Sequence, residues 1–378
     1  MKILYDHQVF TWQEYGGISR YYYELIKAQR GSAGLSLVHS NNEYIVADPE
    51  LGALVTRKPI IARPSKIQRL FTSKKSRRRK SAEVINLAHS IEQLKAGAYD
   101  LFHPTYYDRY FIEHVGGRPF VLTVHDMIHE LFPEHFQLRD PASAQKRELV
   151  QKAAHIIAVS ECTKKDLMDL YGVAESRITV IYHGSSLRAD GPSAQLVLPE
   201  KYFLLVGSRG TYKNCYFTVR ALRDVLNRFS DVHLVFAGGG PFSEEERGFF
   251  FGLGLAERVH QAPAPDEALR SLYARAEAFI FPSLYEGFGI PTIEAFSCGC
   301  PVLSSDTAAL KEVAGDAALY FEPKNVQSIQ QAVVRILSEP GMREDLRKKG
   351  ELRLQFFSWK KCAAQTVAVY EKVLGGSR

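Results

Sequence analysis

The chain has 378 residues, of which 46% are hydrophobic and 24% charged, and these are the proportions of an ordinary soluble globular protein. This length predicts two domains, and no apolar run approaches the roughly 20 residues that a helix needs to span a bilayer. The N-terminal residues 1–6 have the character of a first strand and not of a secretory signal, so we expect a cytoplasmic protein. The five cysteines are scattered without zinc-site spacing, and we expect them to be reduced packing residues.

Short apolar runs alternate with amphipathic helical stretches along the whole chain. The runs lie at 3–5, 35–39, 101–103, 120–124, 156–159 and 178–182, and then at 203–206, 234–237, 279–281, 302–304 and 319–321. Alternation of this kind predicts parallel sheets covered by helices on both faces. The polar segment between the two series, which carries Gly191, Pro192 and Pro199, indicates a linker. We therefore predict an α/β protein with two Rossmann-like, doubly wound domains at residues 1–185 and 201–356, a linker at 186–200 and a ligand site in the cleft between the domains.

The first domain offers candidate site residues at the ends of its strands. Gly16 and Gly17 open a helix after the first strand, where they permit close approach of a ligand or simply form a turn. His125 and Asp126 follow a strand that ends at the cleft edge, and His103 ends another strand on the same side. A single histidine in such a place is more often structural than catalytic, so the residues alone leave its role open.

A basic patch interrupts the first domain. Residues 63–80, from Arg63 to Lys80, contain nine basic side chains and no acidic one. Since the net charge of the chain is +6, the other residues sum to −3. The patch has three interpretations: a solvated loop, a surface that binds anionic lipid, and a nucleic-acid site.

The loop after the first strand of the second domain carries two cations, Arg209 and Lys213. Cations at the carboxyl end of a strand can stabilise a bound phosphate, or a phosphate that leaves with increasing negative charge, through charge-assisted hydrogen bonds. They could also be surface charges without a role.

The most informative stretch is 278–305, AFIFPSLYEGFGIPTIEAFSCGCPVLSS. A strand leads into a glycine-rich loop, and Pro291 then marks the first turn of a helix, whose unpaired N–H groups suit an anion such as a diphosphate. The carboxylates of Glu286 and Glu294 repel phosphate but accept hydrogen bonds from hydroxyl groups. A ligand with phosphate in the middle and polyols on both sides is a nucleotide sugar.

The seven-residue spacing between Glu286 and Glu294 is similar to the Glu-x7-Glu signature of retaining glycosyltransferases, and the stretch resembles glycosyltransferase family 4. The resemblance implies the GT-B architecture, in which two Rossmann-like domains face each other across a cleft. It also implies that residues 357–378 contain a last helix that crosses back to the first domain. Asn214 departs from the family, which often has glycine directly after the lysine at this place.

The resemblance also implies roles for the candidate residues. His125 contacts the transferred sugar, Glu294 holds the ribose, and Asp126 and His103 lie on the acceptor side. The implied catalytic set is His125, Glu286, Arg209 and Lys213. The implied donor site comprises Gly16, Gly17, Arg209, Lys213, Glu286, Gly287, Phe288, Gly289 and Glu294.

The segment TVHDMIHELFPEHF, together with the glutamate motif, looks most like family members that build bacterial surface polysaccharides, often mannosyltransferases. The resemblance therefore implies same-face transfer of a hexose from a nucleoside diphosphate sugar, with GDP-mannose favoured, to a lipid-linked oligosaccharide at the inner membrane face. Arg63 to Lys80 would then bind anionic lipid rather than nucleic acid. We expect no cofactor and no metal, because the chain has no Asp-x-Asp pair. The alternatives are another GT-B enzyme, such as a nucleotide-sugar epimerase, and a non-catalytic module that binds nucleic acid through residues 63–80.

Overall fold

The computed structural model describes residues 1–55, 74–136, 140–192 and 194–375, and of residues 74–80 and 211 it describes the backbone alone. The basic patch from Arg63 to Lys80 therefore lies outside the described side chains. The backbone of residues 74–80 begins a helix at Lys74–Ala96.

The described part of the first domain contains six short parallel strands. They are β1 (Ile3–Tyr5), β2 (Ala33–Leu35), β3 (Leu101–His103), β4 (Val121–Val124), β5 (His155–Ala158) and β6 (Ile178–Val180). β2, β1 and β3 pair in that order, β4, β5 and β6 form a second group, and a parallel bridge between Phe102 and Phe120 joins the two groups. The predicted run at 35–39 was wrong in its position, because the strand ends at Leu35 and Leu37 packs into the core from the following loop.

Helices cover both faces of this first sheet. They are α1 (Gln8–Trp12), α2 (Gly17–Ala28), α3 (Glu43–Ala47), α4 (Leu51–Leu54), α5 (Lys74–Ala96), α6 (Ile128–Leu131), α7 (Ala142–Lys152) and α8 (Glu161–Tyr171). Short 3-10 turns lie at Tyr110–Glu113, Pro133–His135 and Glu175–Arg177. Two apolar clusters, one on each face, bury the alternate side chains of the strands.

The second domain contains one six-stranded parallel sheet. Its strands are β7 (Lys201–Val206), β8 (Val232–Ala237), β9 (Val259–Ala262), β10 (Ala278–Phe281), β11 (Val302–Ser305) and β12 (Ala318–Phe321), and they pair in the order β12-β11-β10-β7-β8-β9. Its helices are α9 (Cys215–Arg228), α10 (Glu244–Gly252), α11 (Asp266–Arg275), α12 (Ile290–Ser297), α13 (Ala308–Ala314), α14 (Val326–Ser338) and α15 (Met342–Arg353). 3-10 turns lie at Thr211–Lys213, Ala256–Arg258 and Leu354–Phe356. Apolar clusters again lie on both faces of the sheet, so the prediction of two doubly wound α/β domains is confirmed.

The last helix, α16 (Trp359–Gly375), returns to the first domain. Its buried side chains Cys362, Val369 and Tyr370 belong to the same apolar cluster as β1 and α2. The segment before the second domain has no regular structure among its described residues, and its Leu187 is buried in a cluster of that domain. The core of the first domain thus includes side chains from the last helix.

Candidate active site

The strand order of the second sheet reverses between β10 and β7, and both strands end at the same place. β7 leads into the loop that carries Lys213, and β10 leads into the loop that carries Glu286. Such a switch point leaves a crevice at the carboxyl ends of the strands, where open α/β sheets bind their ligands. The backbone N–H of Leu284 donates to the carbonyl of Tyr212 at 2.8 Å and joins the two loops.

Helix α12 begins at this crevice. Gly289 before it has a φ of 100°, in the left-handed region that glycine adopts easily. A Cβ at Gly289 would lie 2.6 Å from Leu310 Cδ2, so the packing also requires glycine. Pro291 occupies the first turn, where its missing N–H leaves no bond unmade. The N-terminal end of α12 carries the positive pole of the helix dipole, which suits a phosphate.

Lys213 and Glu286 form an ion pair across the crevice. The Lys213 Nζ lies 2.6 Å from Glu286 Oε1, and the two side chains are 17% and 14% exposed. Burial acts to lower the pKa of Lys213, but the charge of Glu286 and its hydrogen bond outweigh burial and raise that pKa. Two residues that the sequence placed on the donor thus lie in direct contact, and the lysine is a permanent cation.

Arg209 lies beside a glycine turn of the same domain. Its guanidinium donates to Glu246, to the carbonyl of Gly238 at 2.8 Å and to the carbonyl of Gly240 at 3.1 Å. The hydrogen bond from Arg209 lowers the pKa of Glu246, although burial opposes it. Glu246 is also the third residue of α10 and, with Ser243, caps that helix. In this conformation the guanidinium of Arg209 is engaged in hydrogen bonds within its own domain.

Glu294 lies in α12 and reaches an edge of the crevice that both domains share. The hydroxyl of Tyr273 donates to Glu294 Oε2 at 3.3 Å. Burial raises the pKa of Glu294 to about 7, and the charge of Arg20 partly opposes this shift. Arg20 belongs to α2 of the first domain and forms an ion pair with Asp266 of the second. A carboxylate with a hydroxyl beside it is suited to hold ribose hydroxyls.

Gly16 caps the start of α2, and Gly17 is the first residue of that helix. A Cβ at Gly16 would lie 2.5 Å from Gln13 Oε1, whose oxygen accepts the N–H of Ser19 and caps the helix. A Cβ at Gly17 would lie 3.1 Å from Ile290 Cδ1 in the second domain. The glycine pair therefore lets the first domain approach the start of α12 closely.

His125 is buried at the end of β4, and its Nε2 has no hydrogen-bond partner. The ring packs against Tyr21, at 5.3 Å between centroids, and against His183, at 6.2 Å. Burial lowers the pKa of His125 to about 3, with smaller contributions from His103 and Lys146. A neutral imidazole with an unpaired nitrogen can accept from, or donate to, a ligand hydroxyl.

Residues 285–289, in the loop between β10 and α12, are called the donor loop below, and their backbone contacts the backbone of His125. A Cβ at Gly287 would lie 1.7 Å from the carbonyl oxygen of His125, so only glycine fits. The carbonyl of Gly287 accepts from Ser160 Oγ at 2.5 Å and from Thr163 Oγ1 at 3.2 Å, both in the first domain. Phe288 then packs edge to face against His183 at 4.8 Å. The structure therefore brings His125 together with the loop that carries Glu286.

The two acceptor-side candidates differ in their placement. The Asp126 side chain is 32% exposed, and its Oδ1 accepts the N–H of Ile128 at 3.2 Å, which orders the local backbone. His103, in contrast, has no exposed surface, and its ring nitrogens bond to Tyr370 Oη at 2.5 Å and to Thr123 Oγ1 at 2.9 Å. The expectation that His103 contacts an acceptor is corrected here, because a histidine with both nitrogens paired inside the core stabilises the domain.

Among the described residues, no group of three or more His, Cys, Asp or Glu side chains could hold a metal ion. The five cysteines are free thiols. No helix within the described ranges is long and apolar enough to cross a membrane.

Two family models match the chain, one for each domain. Residues 15–188 match the model described as Glycosyltransferase Family 4, and residues 192–353 match that of Glycosyl transferases group 1. Together they take in the strand ends, both glutamates and both cations of the crevice. The chain belongs to glycosyltransferase family 4.

Curated relatives and solved structures agree with this assignment. The chain is 28% identical over 265 residues to the Escherichia coli O-antigen chain mannosyltransferase B, a match that covers 66% of this chain and 70% of the relative. Two further relatives are covered to 60% and 61%, so the chain spans less than two thirds of their length. Sucrose-phosphate synthase from Thermosynechococcus elongatus superimposes with a TM-score of 0.77 at 20% identity, over 99% of both chains. Anabaena HepE in complex with UDP-glucose superimposes with a TM-score of 0.73 at 17% identity, over 98% of this chain and 100% of HepE. These likenesses show the GT-B fold of this family 4 enzyme.

Several residues of the family 4 site were missed by the sequence reasoning. Arg20 follows the glycine pair that was noticed, but only the fold brings it to Asp266 across the cleft. Ser160 and Thr163 had a usable signal, because serine before an acidic first turn is typical of a helix N-cap, but nothing indicated their bonds to Gly287. Tyr285 lies in the glutamate motif, but nothing in the sequence indicated that its hydroxyl bonds to the first domain.

Proposed function

We propose that this family 4 enzyme is a retaining hexosyltransferase that uses a nucleoside diphosphate sugar, with GDP-mannose as the favoured donor. The acceptor in this proposal is a hydroxyl group of a growing, lipid-linked surface oligosaccharide. The observation that carries the proposal is the Lys213–Glu286 pair, 2.6 Å long, at the start of helix α12. The similarity to an Escherichia coli O-antigen chain mannosyltransferase supports mannose, and the UDP-glucose complex of HepE supports a nucleotide-sugar donor.

The donor would lie along the crevice with its diphosphate between Lys213 and the first turn of α12. Cation and helix end are complementary to phosphate, and they would offset the charge that builds on the departing diphosphate. Glu294, beside Tyr273, would accept hydrogen bonds from the ribose. Glu286 would accept hydrogen bonds from sugar hydroxyls, and His125 would contact the same sugar through its unpaired Nε2.

In the chemical step, the bond between C1 of the hexose and the diphosphate oxygen breaks. A bond from the acceptor oxygen forms on the same face of C1, and the acceptor proton moves to the released diphosphate oxygen. A carboxylate nucleophile is the usual alternative for retention, and it requires an unengaged carboxylate below C1. Glu286, the nearest candidate by sequence, is engaged with Lys213, which favours the same-face route.

Transfer without a metal ion is part of this proposal, since Lys213, the α12 terminus and Arg209 supply positive charge. For Arg209 to reach the diphosphate, it must exchange part of its bonds to the Gly238–Gly240 turn for bonds to phosphate. Addition of EDTA is therefore expected to leave the rate unchanged within about twofold, and a rate restored only by Mg²⁺ or Mn²⁺ would contradict this part.

The direct test is transfer from a panel of donors, including GDP-mannose and UDP-glucose, to an α-linked mannose oligosaccharide. We expect a product heavier by one hexose from GDP-mannose, detected by mass spectrometry. Transfer from UDP-glucose but not from GDP-mannose would contradict the proposed donor and would identify UDP-glucose as a donor instead. Release of nucleoside diphosphate without any elongated product would contradict the transferase activity and favour another nucleotide-sugar enzyme.

Peripheral binding to the membrane is also proposed, through the residues from Arg63 to Lys80, since cationic and apolar residues together suit an anionic bilayer. The test is flotation with phosphatidylglycerol vesicles of wild type and of a variant with serine at Arg77, Arg78, Arg79 and Lys80. Neutralised Lys348 and Lys349 on the exposed side of α15 provide the matched control. Equal flotation of all three proteins would contradict lipid binding by the patch.

A further inference from the structure

Helix α8 of the first domain contacts the donor loop of the second domain with one face. Ser160 at its N-cap, Thr163 and Asp166 are spaced three residues apart and therefore lie on the same side of the helix. Ser160 and Thr163 donate to the carbonyl of Gly287. The carboxylate of Asp166 accepts from the hydroxyl of Tyr285 at 2.7 Å.

The hydroxyl of Tyr285 has a second partner in the first domain. It accepts the backbone N–H of Met127 at 3.2 Å, two residues after His125. The ring of Tyr285 is 8% exposed and belongs to an apolar cluster of the first domain, so a side chain of the second domain is inserted into the core of the first. One hydroxyl thus joins the donor loop, α8 and the loop that carries His125.

These hydrogen bonds lie between Glu286 and His125, two side chains that the proposed reaction needs at a fixed distance from each other. Glu286 follows Tyr285 directly, and His125 lies two residues before Met127. The contact of Gly287 with the His125 carbonyl leaves the two backbones no room to slide past each other. Because Glu286 and His125 belong to different domains, their separation is set by bonds that cross the cleft.

Asp166 is suited to hold the Tyr285 hydroxyl but not to react. Burial raises the pKa of Asp166, and the hydrogen bond from Tyr285 opposes that shift. The carboxylate is partly buried, and it accepts the hydrogen bond of the Tyr285 hydroxyl.

We propose that Tyr285 is a positioning residue for sugar transfer, whose hydroxyl, held by Asp166 and Met127, fixes the donor loop relative to His125. Tyr285 does not touch the reacting atoms. It acts through Glu286 and His125, and the rate effect rests on the transfer activity proposed above.

The experiment compares Tyr285→Phe, Asp166→Ala and Asp166→Asn with wild type. We expect Tyr285→Phe and Asp166→Ala each to lower kcat about 10- to 100-fold, because small misplacements of catalytic groups have effects of that size. The affinity for the nucleoside diphosphate, measured by calorimetry, should stay within about threefold, since Lys213 and Glu294 are untouched. Asp166→Asn should recover most of the rate, because the amide oxygen still accepts from Tyr285.

The matched control is Tyr202→Phe, which removes a buried hydroxyl that donates to the carbonyl of Leu272 inside the second domain alone. It should lower the melting temperature without changing kcat. The double variant of Tyr285→Phe and Asp166→Ala should be no slower than Tyr285→Phe alone, because that substitution already removes the bond to Asp166.

A second readout does not depend on transfer activity. Hydrogen–deuterium exchange of residues 125–131 should be at least about tenfold faster in Tyr285→Phe than in wild type, because the Met127 amide loses its acceptor. Unchanged exchange in this segment, or unchanged kcat, would overturn the proposal. Parallel losses of kcat, nucleotide affinity and melting temperature would overturn it in favour of a purely structural role. Absence of transfer in wild type would contradict the proposed function, while the exchange experiment would still decide whether the hydroxyl holds the loop.

Discussion

Replacement of Lys213 by alanine perturbs the centre of the proposed donor site. With 2.6 Å between Nζ and Glu286 Oε1, the gross attraction at an effective dielectric constant of about 20 is about 6 kcal/mol. Most of this offsets the desolvation of two largely buried charges. Since Glu286 would be left without its cation, we expect a loss of about 1–3 kcal/mol in the free energy of unfolding.

The effect on catalysis should be larger than the effect on stability. Loss of one group that stabilises the charge of a departing diphosphate lowers kcat by about 100- to 1000-fold. The assay is kcat for hexose transfer at saturating donor, with the melting temperature recorded for the same samples. Lys348→Ala, which breaks an exposed lysine–glutamate pair on α15, is the control and should change neither quantity measurably. A Lys213→Ala enzyme with kcat within threefold of wild type would refute the role of this cation.

Three further predictions concern other parts of the site. Burial raises the pKa of Glu294 from 4.5 to about 7. The folded state therefore binds this proton more tightly than the unfolded state, and the protein loses stability as the pH rises through that range. Glu294→Gln should melt at a higher temperature than wild type at pH 8 but not at pH 4.5. Gly287→Ala places a methyl group 1.7 Å from the His125 carbonyl, so kcat should fall at least about 100-fold, whereas Gly248→Ala on α10, with open space around it, should be neutral; equal activities would contradict the domain contact. Tyr370→Phe removes the hydroxyl bonded to Tyr5 and His103 and should lower the free energy of unfolding by about 1–3 kcal/mol without changing donor affinity, as chemical denaturation and calorimetry can check.

Much of the fold could be predicted because its signals are local. Strands bounded by glycine and proline alternate with amphipathic helices, and each predicted apolar run except 35–39 shares at least three residues with a strand of the structure. β9 (Val259–Ala262) was missed because it reads VHQA, and its two polar residues interrupt the apolar pattern of this edge strand.

The strand-end positions of the site residues also followed from the sequence, because loops at the carboxyl ends of parallel strands meet at one edge. Lys213 and Glu286 could therefore be placed on one crevice, although their ion pair was not foreseen. The residues alone could not show which of His103 and His125 is paired inside the core and which reaches the cleft, since both lie at the end of a strand. What separates them is Tyr370, 267 positions away from His103, which pairs one ring nitrogen inside the core. No local pattern carries that information.

The bonds that cross the cleft were the least predictable part. Arg20 with Asp266, and Tyr285 with Asp166, join residues 246 and 119 positions apart. Such pairs depend on how the two domains dock, and neither helix periodicity nor turn chemistry encodes that arrangement.

The anomeric configuration of the product made from GDP-mannose in the presence of EDTA is the sharpest test of retaining, metal-free transfer. Nuclear magnetic resonance of the purified oligosaccharide gives the one-bond carbon–proton coupling at the new linkage. We expect one added hexose with the configuration of the donor. A product of inverted configuration, or no product from any nucleoside diphosphate sugar, would contradict it.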